Sequence, residues 1–405
     1  MRTLVVTNRP VILTRHGYDL RVANLARHLP GEKHLVHVPI APPDHRPATL
    51  DAGSIFHSVR SLEADFHSSP SVRRHFRMSE CGYLGLAFPQ ATRLAREALR
   101  RLVDEKRITH LVVFGSHLAE LTRDLPCEHA LFDVCDSVAL TLRRALEFHQ
   151  PRRSLRERMR GRLELERWRR FEGALPSWFP AVTTINGADT EEVRTLSGGA
   201  RNVYTLPNGV AETFLRPLPP ASTRRAVAFW GNLNFPPNAE ALRFFMHRVY
   251  APHLAGRSVE VVIAGDKAPG WLVDMARDDR CIKVLGFVDD LAAAVSGCPV
   301  MINPMLIGSG MKNKVLEAFA MGLAVVSTTL GMESVADARE GVHFARADEP
   351  ERFAEAVLSL LDDPAQAASM REAAHQLVHD AYRWEAISRR LVDLLETRPA
   401  SVVAR

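Results

Sequence analysis

Short apolar runs alternate with segments of helical periodicity along almost the whole chain. In the first half the strand-like runs are Leu4–Thr7, Leu35–Ile40, Leu111–Phe114, Ala130–Val134, Val182–Ile185 and Val203–Leu206. Between the first two, Val22, Leu25, Ala26 and Leu29 fall at i, i+3, i+4 and i+7, which is one apolar stripe of a helix. The same alternation restarts at Ala226–Trp230, Val259–Ala264, Ile282–Leu285, Val300–Ile302 and Ala324–Ser327. Alternating β and α elements predict an α/β fold of parallel sheets with helices on both faces. The Pro-containing stretch Arg216-Pro217-Leu218-Pro219-Pro220 marks a linker. Two domains are expected, at 1–214 and 222–385, with 386–405 a C-terminal helix and tail able to cross back to the N-terminal domain. Two doubly wound domains facing each other across a cleft place a ligand between their switch-point crevices.

Composition narrows this picture mainly by exclusion. A chain of 405 residues, 46% hydrophobic and 24% charged, is neither one small domain nor wholesale disorder. No stretch approaches the roughly 20 apolar residues of a bilayer span; the best, Ala318–Val326, is short. The opening residues, MRTLVVTNRP, have too small an apolar core for a secretory signal and read as a first strand. Five cysteines, odd in number and without a C-x-x-C, suggest neither a disulfide framework nor a zinc site and point to a reducing cytoplasm. D-x-D, H-E-x-x-H, G-x-S-x-G and the P-loop pattern are all missing, which argues against a D-x-D metal site and against metalloprotease, α/β-hydrolase and P-loop readings.

The net charge is +5, and it is concentrated: between Pro151 and Gly173 there are nine Arg and four Glu. Leu155, Met159 and Leu163 recur every four residues through this stretch. It reads either as a basic amphipathic helix lying on anionic lipid through Arg152–Arg170, or as a solvated helix held by Arg–Glu pairs. No nucleic-acid reading motif accompanies the charge.

The segment with most chemistry runs from Asn303 to Gly322. A strand leads into a loop with Gly308 and Gly310, and a helix is expected from near Met311, so backbone N–H groups and the positive helix end form an anion site. Lys312 and Lys314 add charge, and Glu317, one turn on from Lys314, can accept from two vicinal hydroxyls. These parts describe a nucleotide-diphosphate cradle. The bland alternative is a glycine turn capping a helix on which Lys and Glu form a solvated i,i+3 pair. In the loop after Trp230, Asn238 is expected to cap a helix over Ala239–Val249, and Asp289-Asp290 to cap another rather than bind a metal.

The string Gly308-Ser-Gly-Met-Lys-Asn-Lys-Val-Leu-Glu-Ala-Phe-Ala-Met-Gly322, followed by Ala324-Val-Val-Ser327, resembles the donor-binding signature of family-four retaining glycosyltransferases of the GT-B fold. The branch it most resembles is that of bacterial exopolysaccharide clusters. The likeness extends to Gly231-Asn-Leu-Asn-Phe-Pro-Pro-Asn238, Gly286-Phe-Val-Asp-Asp290, Leu206-Pro-Asn-Gly-Val210, the Gly17 loop and Tyr382-Arg-Trp384, and is weakest over 41–105. It implies transfer of a sugar, with retention, from a nucleotide-diphosphate donor to a hydroxyl of a glycan, lipid-linked or small-molecule acceptor; the cysteine usage puts this in the cytoplasm, and the Arg-rich stretch offers a place at the inner membrane face. No cofactor and no metal are implied. The implied donor site is Gly17, Gly231, Asn232, Gly286, Phe287, Val288, Gly308, Ser309, Gly310, Lys312, Lys314 and Glu317. His117 and Lys314 are the implied catalytic groups, and Tyr18, Asp133 and Asp136 the acceptor side. Glu317 matches the second acid of an E-x7-E motif whose first acid is replaced by Ser309. Gly231-Asn232-Leu233-Asn234 stands where many relatives carry a basic pair, which leaves Lys312 and Lys314 as phosphate partners. The same architecture serves sugar-nucleotide 2-epimerases and would also suit a non-catalytic nucleotide-sugar binding subunit.

Overall fold

Apolar runs without polar alternation are what a parallel sheet needs, because helices cover both of its faces. The computed structural model, which describes residues 1–8, 11, 17–40, 54–64, 66, 83–149, 154–215 and 224–396, forms two such sheets. The first contains β1 (Arg2–Thr7), β2 (Glu32–His37), β3 (Ser58–Ser61), β4 (His110–Phe114), β5 (His129–Cys135), β6 (Ala181–Thr184) and β7 (Val203–Thr205). Their spatial order is β3-β2-β1-β4-β5-β6-β7, and every pairing is parallel. The second contains β8 (Ala226–Trp230), β9 (Glu260–Ala264), β10 (Ile282–Gly286), β11 (Val300–Asn303), β12 (Ala324–Ser327) and β13 (Ala345–Arg346). Its order is β10-β9-β8-β11-β12-β13, again parallel throughout. Both sheets are Rossmann-like.

In the first sheet, Val5 stands in register with Leu35 and Val112. These side chains point to one face, where they meet Val22 and Leu25 of helix Gly17–Arg27 and Trp384, Ile387 and Leu391 of helix Trp384–Glu396. Leu4 and Val6 point to the other and meet Leu99 and Leu102 of helix Pro89–Glu105. Burying side chains of this size stabilises the fold by about 1.5–3 kcal/mol each. The C-terminal helix is thus part of the first core.

The chain accordingly divides into Met1–Asn208 with Trp384–Arg405, and Gly209–Arg383. Residues just after Asn208 go with the second unit because the Val210 N–H donates to the Tyr382 carbonyl at 2.8 Å and Val210 bridges to Arg383. The expected boundary at 214 therefore moves back to 208. The Pro-rich stretch at 216–220 lies outside the described residues.

Two helix starts differ from expectation. The helix expected at Ala239 begins at Pro236, because two prolines occupy its first positions, where their fixed φ suits the helix and no N–H is lost. It runs to Phe244 and continues as a π-helix over Phe245–Leu254. Asn238 is therefore inside the first turn and not a cap. The helix expected near Met311 begins at Asn313, with Lys312 in the cap position.

A buried ion pair fastens the first unit. Arg21, 1% exposed, donates to Asp133 through Nε at 3.1 Å and Nη2 at 2.6 Å, and also to the Leu206 and Pro207 carbonyls and to Asn208 Oδ1. Thr183 Oγ1 donates to the same carboxylate at 2.8 Å. Burial alone would lower the Arg21 pKa, but Asp133 more than offsets it and the guanidinium sits above its ordinary value. Asp133, expected on the acceptor side, is instead closed inside this network. Arg21→Ala, which leaves the Asp133 charge buried and unpaired, is expected to cost about 3–5 kcal/mol in urea unfolding, whereas an apolar replacement of both partners costs much less.

Candidate functional site

In a doubly wound sheet, ligands bind beyond the carboxyl ends of the strands where the strand order reverses. In the second unit that point lies between β8 and β11. Glycines with positive φ end the neighbouring strands: Gly231 (+143°) after β8, Gly265 (+147°) after β9 and Gly286 (+69°) at the end of β10. The constraint is steric at Gly265, where a Cβ would lie 1.8 Å from the Gly231 carbonyl oxygen. The turns are stitched together by Gly231 N–H to Ala264 O at 3.1 Å and Gly265 N–H to Gly286 O at 2.7 Å. After β11, Gly308 and Gly310 also have positive φ, and Gly308 packs toward Pro237.

Onto this edge the helix Asn313–Ala320 delivers Lys314 and Glu317. Lys314 Nζ donates to Asn238 Oδ1 at 2.7 Å and lies 4.2 Å from the centre of the Phe229 ring. Burial pushes its pKa down to about 7; the Lys312 charge acts in the same direction, while Glu317 pulls the other way. The Glu317 carboxylate accepts from Trp230 Nε1 at 2.7 Å. Burial raises its pKa, opposed by the Trp230 hydrogen bond and by Lys314. Among the described ion pairs there is none between Lys314 and Glu317, so the solvated i,i+3 pair does not form. Asn238 is held in turn by its Nδ2 donating to the Asn232 carbonyl at 3.0 Å, and Asn232 Oδ1 accepts from Asn234 N–H.

Lys312 faces inward. It is buried, its Nζ donates to the Ser309 and Gly310 carbonyls at 3.1 Å each, and its N–H donates to Ser334 Oγ. It braces the glycine loop from beneath. Phe287 is exposed and Val288 packs on the core beneath; both follow Gly286 at the far strand of the same edge. The structure therefore gathers Gly231, Asn232, Lys314 and Glu317 with three residues that the sequence did not single out for this purpose, Phe229, Trp230 and Asn238. A fourth, Gly265, carried only a generic turn signal.

In the first unit the order reverses between β1 and β4. Gly17 opens the helix there, and the Tyr18 hydroxyl donates to the Phe114 carbonyl at 2.9 Å and contacts Asn8 Oδ1. Tyr18 is thus a strut between the two strand ends. His117 is half-buried on the 3-10 turn Ser116–Leu118 that follows β4. Asp136 lies past β5, but the next helix is capped by Ser137 and by Glu172 from helix Leu155–Trp178, which accepts from Val138 N–H at 2.7 Å. Burial raises Glu172 to about 7 against the pull of Ser137 and the backbone donors. Asp290 does cap its helix, accepting from Ala293 N–H at 3.0 Å.

Residues 224–363 match the family model for glycosyl transferases group 1. A 115-residue stretch is 31% identical to an uncharacterized protein of the cps region of Klebsiella pneumoniae. That match covers 26% of this chain and 30% of the relative, so the chain spans less than a third of that protein's length. Among solved structures, Anabaena Alr3699/HepE in complex with UDP is similar with a TM-score of 0.66 at 13% identity, over 98% of this chain and 99% of that one. Sucrose-phosphate synthase from Thermosynechococcus elongatus is similar with a TM-score of 0.70 at 15% identity, over 97% and 98%. At these identities the likeness is one of fold. The chain thus has the GT-B fold, and within it residues 224–363 match the glycosyl transferases group 1 model.

Proposed function

We propose that the protein transfers a sugar from a nucleotide-diphosphate donor to a hydroxyl of a glycan, lipid-linked or small-molecule acceptor, with retention. The observation that carries this is the pair Lys314 and Glu317, three residues apart on one helix, each tied to a neutral partner and not to the other. A cation and a carboxylate held apart at a glycine-lined switch point suit the two ends of a nucleoside diphosphate: phosphates at the lysine, ribose hydroxyls at the glutamate. That HepE holds UDP adds support. In this reading the bond from the sugar's anomeric carbon to the diphosphate breaks, and its electron pair leaves with the phosphate oxygen. Lys314 stabilises that growing charge. The acceptor oxygen bonds to the anomeric carbon on the same face and its proton passes to the departing phosphate. In the same reading His117 is a catalytic group and Tyr18 a residue of the acceptor side, both at the switch point of the first unit.

Glu317→Ala is expected to weaken UDP, GDP or dTDP binding by about 1.5–3 kcal/mol, or roughly 10- to 150-fold, with little change in melting temperature. Lys314→Ala is expected to depress kcat at least as much as affinity, because leaving-group charge grows toward the transition state. The diphosphate favours the charged lysine, so the complex has the higher Lys314 pKa. Affinity is then greatest below pH 7 and falls as pH rises above it, a slope that Lys314→Ala removes. Calorimetry and steady-state kinetics across pH check both; unaltered binding by both variants would sink the assignment. Transfer is also expected to survive EDTA, and activity that needs added Mn²⁺ or Mg²⁺ would contradict a lysine-based site.

A peripheral place at the inner membrane face is part of the same proposal. Among the described residues no helix is long and apolar enough to cross a bilayer. Along helix Leu155–Trp178, however, Leu155, Met159 and Leu163 are 72%, 58% and 62% exposed. Arg156, Arg160, Arg162 and Arg170 are exposed beside them, and the opposite face packs through Gly161 on Leu146. The Arg170–Glu166 pair fits a solvated helix, but an apolar stripe flanked by arginines fits an anionic lipid surface better. Arg152 and Arg153 lie outside the described residues. Sedimentation with phosphatidylserine-containing vesicles is expected to weaken with salt and to be lost in Met159→Asp/Leu163→Asp. Equal recovery with neutral vesicles, or none at low salt, would leave the solvated helix.

A further inference from the structure

We infer that Trp230 and Asn238 are positioning residues whose task is to keep Lys314 and Glu317 from neutralising each other. The inference rests on the donor site proposed above. A Lys and a Glu three apart on a helix ordinarily reach one another. In a partly dry pocket such a pair would be strong, and any ligand would first have to break it. Here two neutral groups intervene.

Trp230 is almost fully buried at the end of β8, and its indole N–H is a donor with no acceptor, so it can hold a carboxylate without neutralising it. It occupies Oε2 of Glu317. The other oxygen, Oε1, has no hydrogen-bond partner among the described residues, as an acceptor for ribose hydroxyls requires. Asn238 acts on the lysine. Its Nδ2 is fixed on the Asn232 carbonyl, so its Oδ1 must face Lys314; flipping the amide would set NH2 against the ammonium. One N–H of Lys314 is taken and the ring of Phe229 lies beneath, which leaves two donors for phosphate oxygens. From the described elements packed around them, the charged groups acting on the two are each other and Lys312, whose ammonium is turned onto the Ser309 and Gly310 carbonyls.

The test titrates UDP, GDP and dTDP into wild type, Trp230→Phe, Asn238→Asp and Glu317→Ala from pH 5 to 9, with a melting curve for each. Trp230→Phe keeps an aromatic six-membered ring in the core and removes the N–H donor together with the rest of the pyrrole ring, so affinity is expected to fall about tenfold. The acid side of its binding profile should move to higher pH, because Glu317 loses the group that favours its charged form. Asn238→Asp places a carboxylate on Lys314 in competition with the diphosphate and is expected to weaken binding at least as much without lowering the melting temperature. Wild-type affinity and an unshifted acid limb in both variants, with Glu317→Ala weakened, would overturn this inference and leave the donor site standing. A loss in Trp230→Phe that is uniform in pH and follows a lower melting temperature would also overturn it, as that is mere packing. If Glu317→Ala binds like wild type, or wild type binds none of the three, the donor site itself falls and takes the positioning role with it.

Discussion

The second unit depends on a close backbone approach: the turn after β9 lies so near the turn after β8 that no side chain fits between Gly265 and the Gly231 carbonyl. With the two turns nested, Leu233 N–H reaches Asp266 O, and the chain is aimed so that Pro236 starts a helix beside the strand ends. That start brings Asn238 against Lys314, and the end of β8 brings Trp230 against Glu317. A bulky residue at either glycine would separate these partners before it touched any ligand.

The two units treat buried charge in opposite ways. Arg21 and Asp133 are fully enclosed, oppositely charged and bidentate, with their remaining hydrogen-bonding capacity taken up by Thr183, Asn208 and two carbonyls. Nothing there is left to bind. At Lys314 and Glu317 burial moves each pKa toward the neutral form, and the opposite charge nearby is too weak to offset it. Satisfied charges hold a fold together, and under-satisfied ones mark a candidate site.

What could be read from sequence follows the same division. Strands such as Ala226–Trp230 and Ala324–Ser327 were legible to the residue, because a doubly covered strand must be apolar throughout. β3, with the sequence Ser-Val-Arg-Ser, and the two-residue β13 were not, since edge pairing and not burial makes them strands. Lys314 and Glu317 stood out because they are close in sequence within a distinctive glycine string. Trp230 did not, as its partner is 87 residues away, and Arg21 was hidden for the same reason, at 112 residues from Asp133. Asn238 was noticed for the wrong role: Asn before an apolar helix looks like a cap, but two prolines had already set the start.

The membership of helix Trp384–Glu396 in the first core bears on the order in which the chain acquires structure during synthesis. Everything from Gly209 to Arg383 leaves the ribosome before Trp384 does, so the second unit has all its residues while the first still lacks a helix. Until then the face presented by Val5, Leu25 and Leu35 lacks the cover of Trp384, Ile387 and Leu391. The half made first is therefore completed last, and a chain interrupted near residue 383 would carry a finished second unit joined to a first unit with a bare apolar face, a ready seed for aggregation.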